Sequence, residues 1–137
     1  MGRAGQRVGP IELLGGTEVP IASGRQAFPD FVIEENYWDA IVSIWAPLPS
    51  VVRRVLHKKV VNGLKPGGTF LLEAYTLQQL ELGTGGGKQA DLMMSLHSLH
   101  EELNGLRFDI AHEIMREVHE GRYHNGQSAV VQVLAYK

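Results

Sequence analysis

Two apolar runs separated by a helix-length amphipathic stretch constrain this chain more than any other feature. Ala40-Ile-Val-Ser-Ile-Trp45 is nearly continuous, apolar and β-branched, the pattern of a strand covered on both faces. Pro47 and Pro49 stop it. Ser50, a plausible N-cap, opens a helix in which Val52, Leu56, Val60 and Leu64 recur at intervals of four. Gly63 and Pro66-Gly-Gly68 end that helix, and Thr69-Phe-Leu-Leu72 reads as a second buried strand. Strand, crossover helix and strand form one βαβ unit between Tyr37 and Tyr75, so the chain is α/β with a parallel strand pair.

Downstream, Thr76 to Ala90 is a glutamine- and glycine-rich connection containing Gly83-Thr-Gly-Gly-Gly-Lys88, expected as a flexible loop on the active-site side. It lacks the Ser/Thr that a phosphate-binding loop places after its lysine. Asp91 is expected to cap a second helix carrying Leu92, Leu96, Leu99 and Leu103 inward, closed by Asn104-Gly105. The segments from Phe108 to Val118 and from Ala129 to Tyr136 alternate as strands. With the turn Glu120 to Gly126 they make an antiparallel hairpin. Residues 1–29 differ. Six of the 16 glycines fall within the first 24 residues, and only Ile11-Glu-Leu-Leu14 and Val19-Pro-Ile21 read as short strands. The expected organisation is therefore a poorly defined Gly-rich segment, 1–29, followed by one domain, 30–137.

Composition excludes several functions. A formal charge of −2 argues against a general nucleic-acid binder. No cysteine is present for thiolate catalysis or thiolate metal sites. No apolar run approaches a membrane span, so a cytoplasmic protein with no membrane partner is expected. His97, His100 and Glu101 share a helix face but lack a third strong ligand, so no metal site is expected. His112 and His119, seven apart on a strand, point to opposite faces. The basic stripe Arg53, Arg54, His57, Lys58 and Lys59 is expected to be a solvated helix face, since no aromatic residues interleave it.

Five motifs in register point further. They are Trp38-Asp-Ala-Ile-Val-Ser-Ile44, Leu64-Lys-Pro-Gly-Gly68, Leu71-Leu-Glu-Ala-Tyr-Thr76, Leu82-Gly-Thr-Gly-Gly86, and Arg116-Glu-Val-His-Glu-Gly121 with His124 and Gly126. Over these, from about Asp30 to Lys137, the chain resembles the C-terminal part of class I S-adenosylmethionine-dependent methyltransferases, in particular the tellurite-resistance-type small-molecule branch. The resemblance implies a Rossmann-like sheet in the order 3-2-1-4-5-7-6, here truncated to strands 4, 5, 6 and 7 with two main helices. It also implies S-adenosylmethionine as cofactor and a small-molecule methyl acceptor. The exit of strand 4 (Ser43, Ile44, Trp45) would lie on the cofactor side. Tyr75, His119 and His124 would be the acceptor-side candidates for catalysis, with Glu73 beside them.

The family's glycine-rich cofactor loop is matched only by Glu12-Leu-Leu-Gly-Gly-Thr17, and then only with a one-residue shift. Too few residues separate that fragment from strand 4 for the missing βαβ units, each of which takes ~30 residues. The expected function is a methyltransferase-like protein acting on a small molecule, incomplete as an isolated chain. The alternative is a non-catalytic truncated form, or an interaction module that associates through its exposed sheet edge. Strand 39–45 would be that edge, and it invites homodimerisation.

Overall fold

The computed structural model describes residues 32–137, together with two short strands near the N-terminus. The chain divides into two units, residues 1–31 and 32–137. In the first, β1 (Ile11–Glu12) pairs antiparallel with β2 (Glu18–Val19), Ile11 opposite Val19. The rest of the reading of 1–29 lies outside the described residues.

The second unit runs β3 (Trp38–Ile44), α1 (Ser50–Gly63), β4 (Leu64–Tyr75), α2 (Leu96–Glu102), β5 (Arg107–His119) and β6 (Asn125–Tyr136). Short 3-10 turns at Leu77–Glu81 and Ala90–Leu92 connect β4 to α2. The four strands form one sheet in the order β3-β4-β6-β5. β3 lies parallel to β4, while β6 is antiparallel to both of its neighbours. This is the mixed α/β sheet with two helices that the sequence led us to expect, including the parallel pair and the hairpin.

Strand alternation builds the core. Phe70, Leu72 and Ala74 of β4 and Val131, Val133 and Ala135 of β6 are buried on one face. There they meet Val60 of α1 and Leu99 and Leu103 of the α2 region. The opposite face carries the register row Val42, Leu71, Leu134 and Ile110, which crosses all four strands. Val42 is 62 % exposed and Ile110 42 %, so this apolar row is open. The expectation that β3 is covered on both faces is therefore corrected: its residues alternate, and Ala40, Val42 and Ile44 face solvent.

Two further expectations change. Arg53 and His57 are not on a solvated face but buried, on the side of α1 that meets α2. Glu102 makes this possible: its carboxylate accepts from Arg53 Nη2 at 2.8 Å and lies 2.7 Å from His57 Nδ1. Burial of the arginine charge is tolerated because a paired, hydrogen-bonded ion loses far less than an isolated one. Arg54 and Lys58 remain exposed. Nor does Asp91 cap α2. Ser95 does, in a reciprocal box with Ser98, its Oγ accepting the Ser98 N–H at 3.1 Å. The Asp91 carboxylate instead accepts the Ser50 N–H at 3.0 Å, at the start of α1, where Pro49 offers no side-chain cap. The Ser50 hydroxyl, and then this backbone N–H, hold the Asp91 carboxyl below its ordinary range.

Candidate functional site

The carboxyl ends of the parallel strands β3 and β4 lead into a cavity of about 590 Å³. Its walls are the exit of β3 from Trp45 to Pro47, the Gly83–Gly87 segment, Leu92 to Met94, and the turn from Arg122 to Asn125. Open α/β sheets place ligands at this end, where loops gather beyond the strands. The volume falls within the ~300–1,000 Å³ typical of small-molecule sites.

Three rings from three elements form its centre. Trp45 stacks on Tyr75, with centroids 4.5 Å apart, and on His124 at 5.2 Å. The Tyr75 hydroxyl lies 2.8 Å from His124 Nδ1. Burial pushes the Tyr75 phenol up from its usual value, so it stays protonated at neutral pH. Trp45 holds a left-handed backbone, φ 49°, which costs a bulky residue on the order of 1–3 kcal/mol. Contacts on several sides keep it there: its backbone N–H bonds to Glu73 O at 3.1 Å, and its indole N–H donates to Glu120. Arg116 lies 5.9 Å from the Trp45 ring centroid and donates to both Glu73 and Glu120. The hydrogen bond from Trp45 and then that from Arg116 hold the Glu120 carboxyl low, while Glu73 raises the Arg116 guanidinium further.

The glycine-rich segment, expected as a flexible loop, is pinned. Gln79, buried, donates to Thr84 Oγ1 at 2.9 Å and to Gly85 O at 3.2 Å, while its own oxygen accepts the Ala129 N–H. Thr84 Oγ1 donates to Gln127 O at 2.7 Å, and Gly85 bridges to His124. Glycine is required where the segment crosses Tyr75. A Cβ on Gly86 (φ 81°) would lie 2.6 Å from the tyrosine ring, and one on Gly85 would lie 2.7 Å from its hydroxyl.

Of the residues singled out from sequence, Trp45, Tyr75 and His124 come together in the cavity. Ser43 is half-buried and Ile44 exposed, on the strand leading up to it, and neither lines it. His119 lies outside, its side chain 72 % exposed, with Nδ1 2.8 Å from Asn125 Oδ1. Glu73 is engaged by Arg116 and Gln132. Sequence reasoning missed Leu92, Met93 and Met94 as a wall, having placed Leu92 inside a helix. The Ser95-x-x-Ser98 box was the signal that they precede α2. Among the described residues no group of three potential ligands could hold a metal ion, and no helix is long and apolar enough to cross a membrane.

No family model and no curated relative matches the chain. Solved structures do. A S-adenosylmethionine-dependent methyltransferase from Methanosarcina mazei superposes with TM-score 0.54 at 15% identity, covering 79% of this chain and 63% of that one. TehB from Haemophilus influenzae gives TM-score 0.57 at 22% identity, covering 77% of this chain and 37% of its own length. A protein described for converting a disulfide bond into a thioacetal group during echinomycin biosynthesis gives 0.53 at 11%, covering 75% and 50%. The fold is thus that of the class I methyltransferases, and the chain spans about a third to less than two thirds of the structures it matches.

The described residues at the β3 exit do not fit the grip a methyl donor needs. β3 is the last strand of the sheet among them, and Ser43, Ile44 and Trp45 at its exit supply neither a carboxylate nor a glycine-rich turn.

Proposed function

We propose that this chain is the acceptor-side part of a methyltransferase-like protein, and that its cavity takes a small-molecule methyl acceptor. The observation that carries this reading is the Trp45–Tyr75–His124 cluster, assembled from the exits of two parallel strands and the hairpin turn. S-adenosylmethionine, where bound, supplies an already activated methyl group, so the protein's task is largely orientation. Tyr75 fixes the His124 ring through Nδ1, leaving the imidazole to orient the acceptor or take its proton. In this reading the isolated chain does not hold the donor by itself. The acceptor side is tested by Trp45 fluorescence in a Trp38→Phe background, titrated with small thiols, amines and carboxylates. Saturable quenching that His124→Ala abolishes is expected for at least one class; its absence for all of them contradicts the proposal.

A second reading rests on β3. It pairs only with β4 among the described residues, and its Val42 and Ile44 are 62 % and 48 % exposed. An open apolar edge of this kind favours pairing with another copy through residues 39–45.

A further inference from the structure

Arg53 touches no part of the cavity surface, yet its guanidinium reaches the main chain of one cavity wall. We propose that Arg53 is a positioning residue that sets the shape of the acceptor cavity by holding the backbone at Asp91 and Met93. The inference rests on reading the cavity as an acceptor site.

The geometry is specific to a guanidinium. Its side chain is 4 % exposed and lies between α1 and α2. Nε and Nη2 donate to the Glu102 carboxylate at 3.0 and 2.8 Å, which fixes the plane of the fork. Nη1 is thereby aimed at the carbonyls of Met93 and Asp91, at 3.3 and 3.4 Å. The same short segment is held from the sheet side, where the Met94 N–H donates to Tyr75 O at 2.9 Å. Leu92, Met93 and Met94 line the cavity between these two anchors. The segment has little regular structure of its own, only a three-residue 3-10 turn at Ala90–Leu92. Its path is therefore set by what grips it.

A buried ion pair adds little net stability compared with apolar residues of equal volume. What Arg53 provides that an apolar side chain would not is a rigid set of donors directed at two backbone carbonyls. A lysine keeps the charge but presents a single ammonium, which cannot span both carboxylate oxygens and both carbonyls. His57 also holds this carboxylate, its Nδ1 2.7 Å from the Oε2 that accepts from Arg53 Nε.

The test uses methionine methyl groups labelled with carbon-13. Met93 and Met94 lie in the wall, and Met115 lies on β5 as an internal control. In Arg53→Lys and Arg53→Met, both well below their unfolding temperatures, the Met93 and Met94 signals are expected to shift or broaden while Met115 stays put. Acrylamide quenching of Trp45, with Trp38→Phe in every variant, is expected to rise. Arg54→Lys on the exposed face should change none of these. Lowered thermal stability with Met93, Met94 and Trp45 unchanged would overturn the proposal and leave Arg53 merely structural. If Arg53→Met does not fold, Arg53→Lys alone decides by the same signals. Neither readout requires a methyl donor or acceptor, so the result stands whether or not the cavity binds one.

Discussion

Gly86 shows how tightly single positions are specified around the cavity. It combines a left-handed φ of 81° with a main chain pressed against the face of Tyr75. Gly86→Ala should therefore lower stability by more than ~1 kcal/mol in chemical denaturation, because the new methyl is strained by backbone and ring alike. Glu102 is specified as strictly, but by charge. Burial alone would push its carboxyl up; the hydrogen bonds from His57 and Arg53 outweigh this and lower it from 4.5 to about 2. A carboxylate depressed in the folded state adds stability that is fully present above the unfolded value. That stability is lost as pH falls from about 4.5 toward about 2. Unfolding free energy measured against pH should fall across that window in the native chain. Glu102→Gln should be less stable at neutral pH and show a flatter acid limb.

At the scale of elements, β3 carries the sharpest prediction. Its register with β4 runs from Ala40 opposite Thr69 to Ile44 opposite Glu73, and no further described strand pairs with it. Light scattering should show a dimer, with slow amide exchange across 39–45, and Val42→Lys should shift the population toward monomer. A monomer with fast exchange there contradicts the edge-pairing reading. The elements themselves were legible in the sequence. Apolar, β-branched runs located β3 and β4, the interval-of-four stripe located α1, and alternation located the β5–β6 hairpin, because local pattern and fold agree at those places. Less legible was anything depending on a distant partner. Arg53 and His57 read as surface cations because Glu102, which buries them, sits 49 and 45 residues away. Asp91 read as the cap of the helix after it because its actual partner, Ser50, lies 41 residues back. The stiffness of the Gly83–Gly87 segment likewise depends on Gln79 and on β6, which no local signal reveals.

For the molecule as a whole, the described unit is one layer of helices on one face of a four-stranded sheet, with an apolar row open on the other. The solved structures it matches are longer, and the chain covers 37–63% of their lengths. Tyr75, His124 and Trp45 converge at the carboxyl ends of the parallel strands, the end that the proposed function takes as the acceptor side. In the proposed function this chain carries an acceptor cavity without the walls that grip a methyl donor. Calorimetric titration of the isolated chain with S-adenosylmethionine and S-adenosylhomocysteine tests it most directly. No saturable heat in the micromolar range is expected for either compound; one-to-one binding with micromolar affinity would overturn the proposed function.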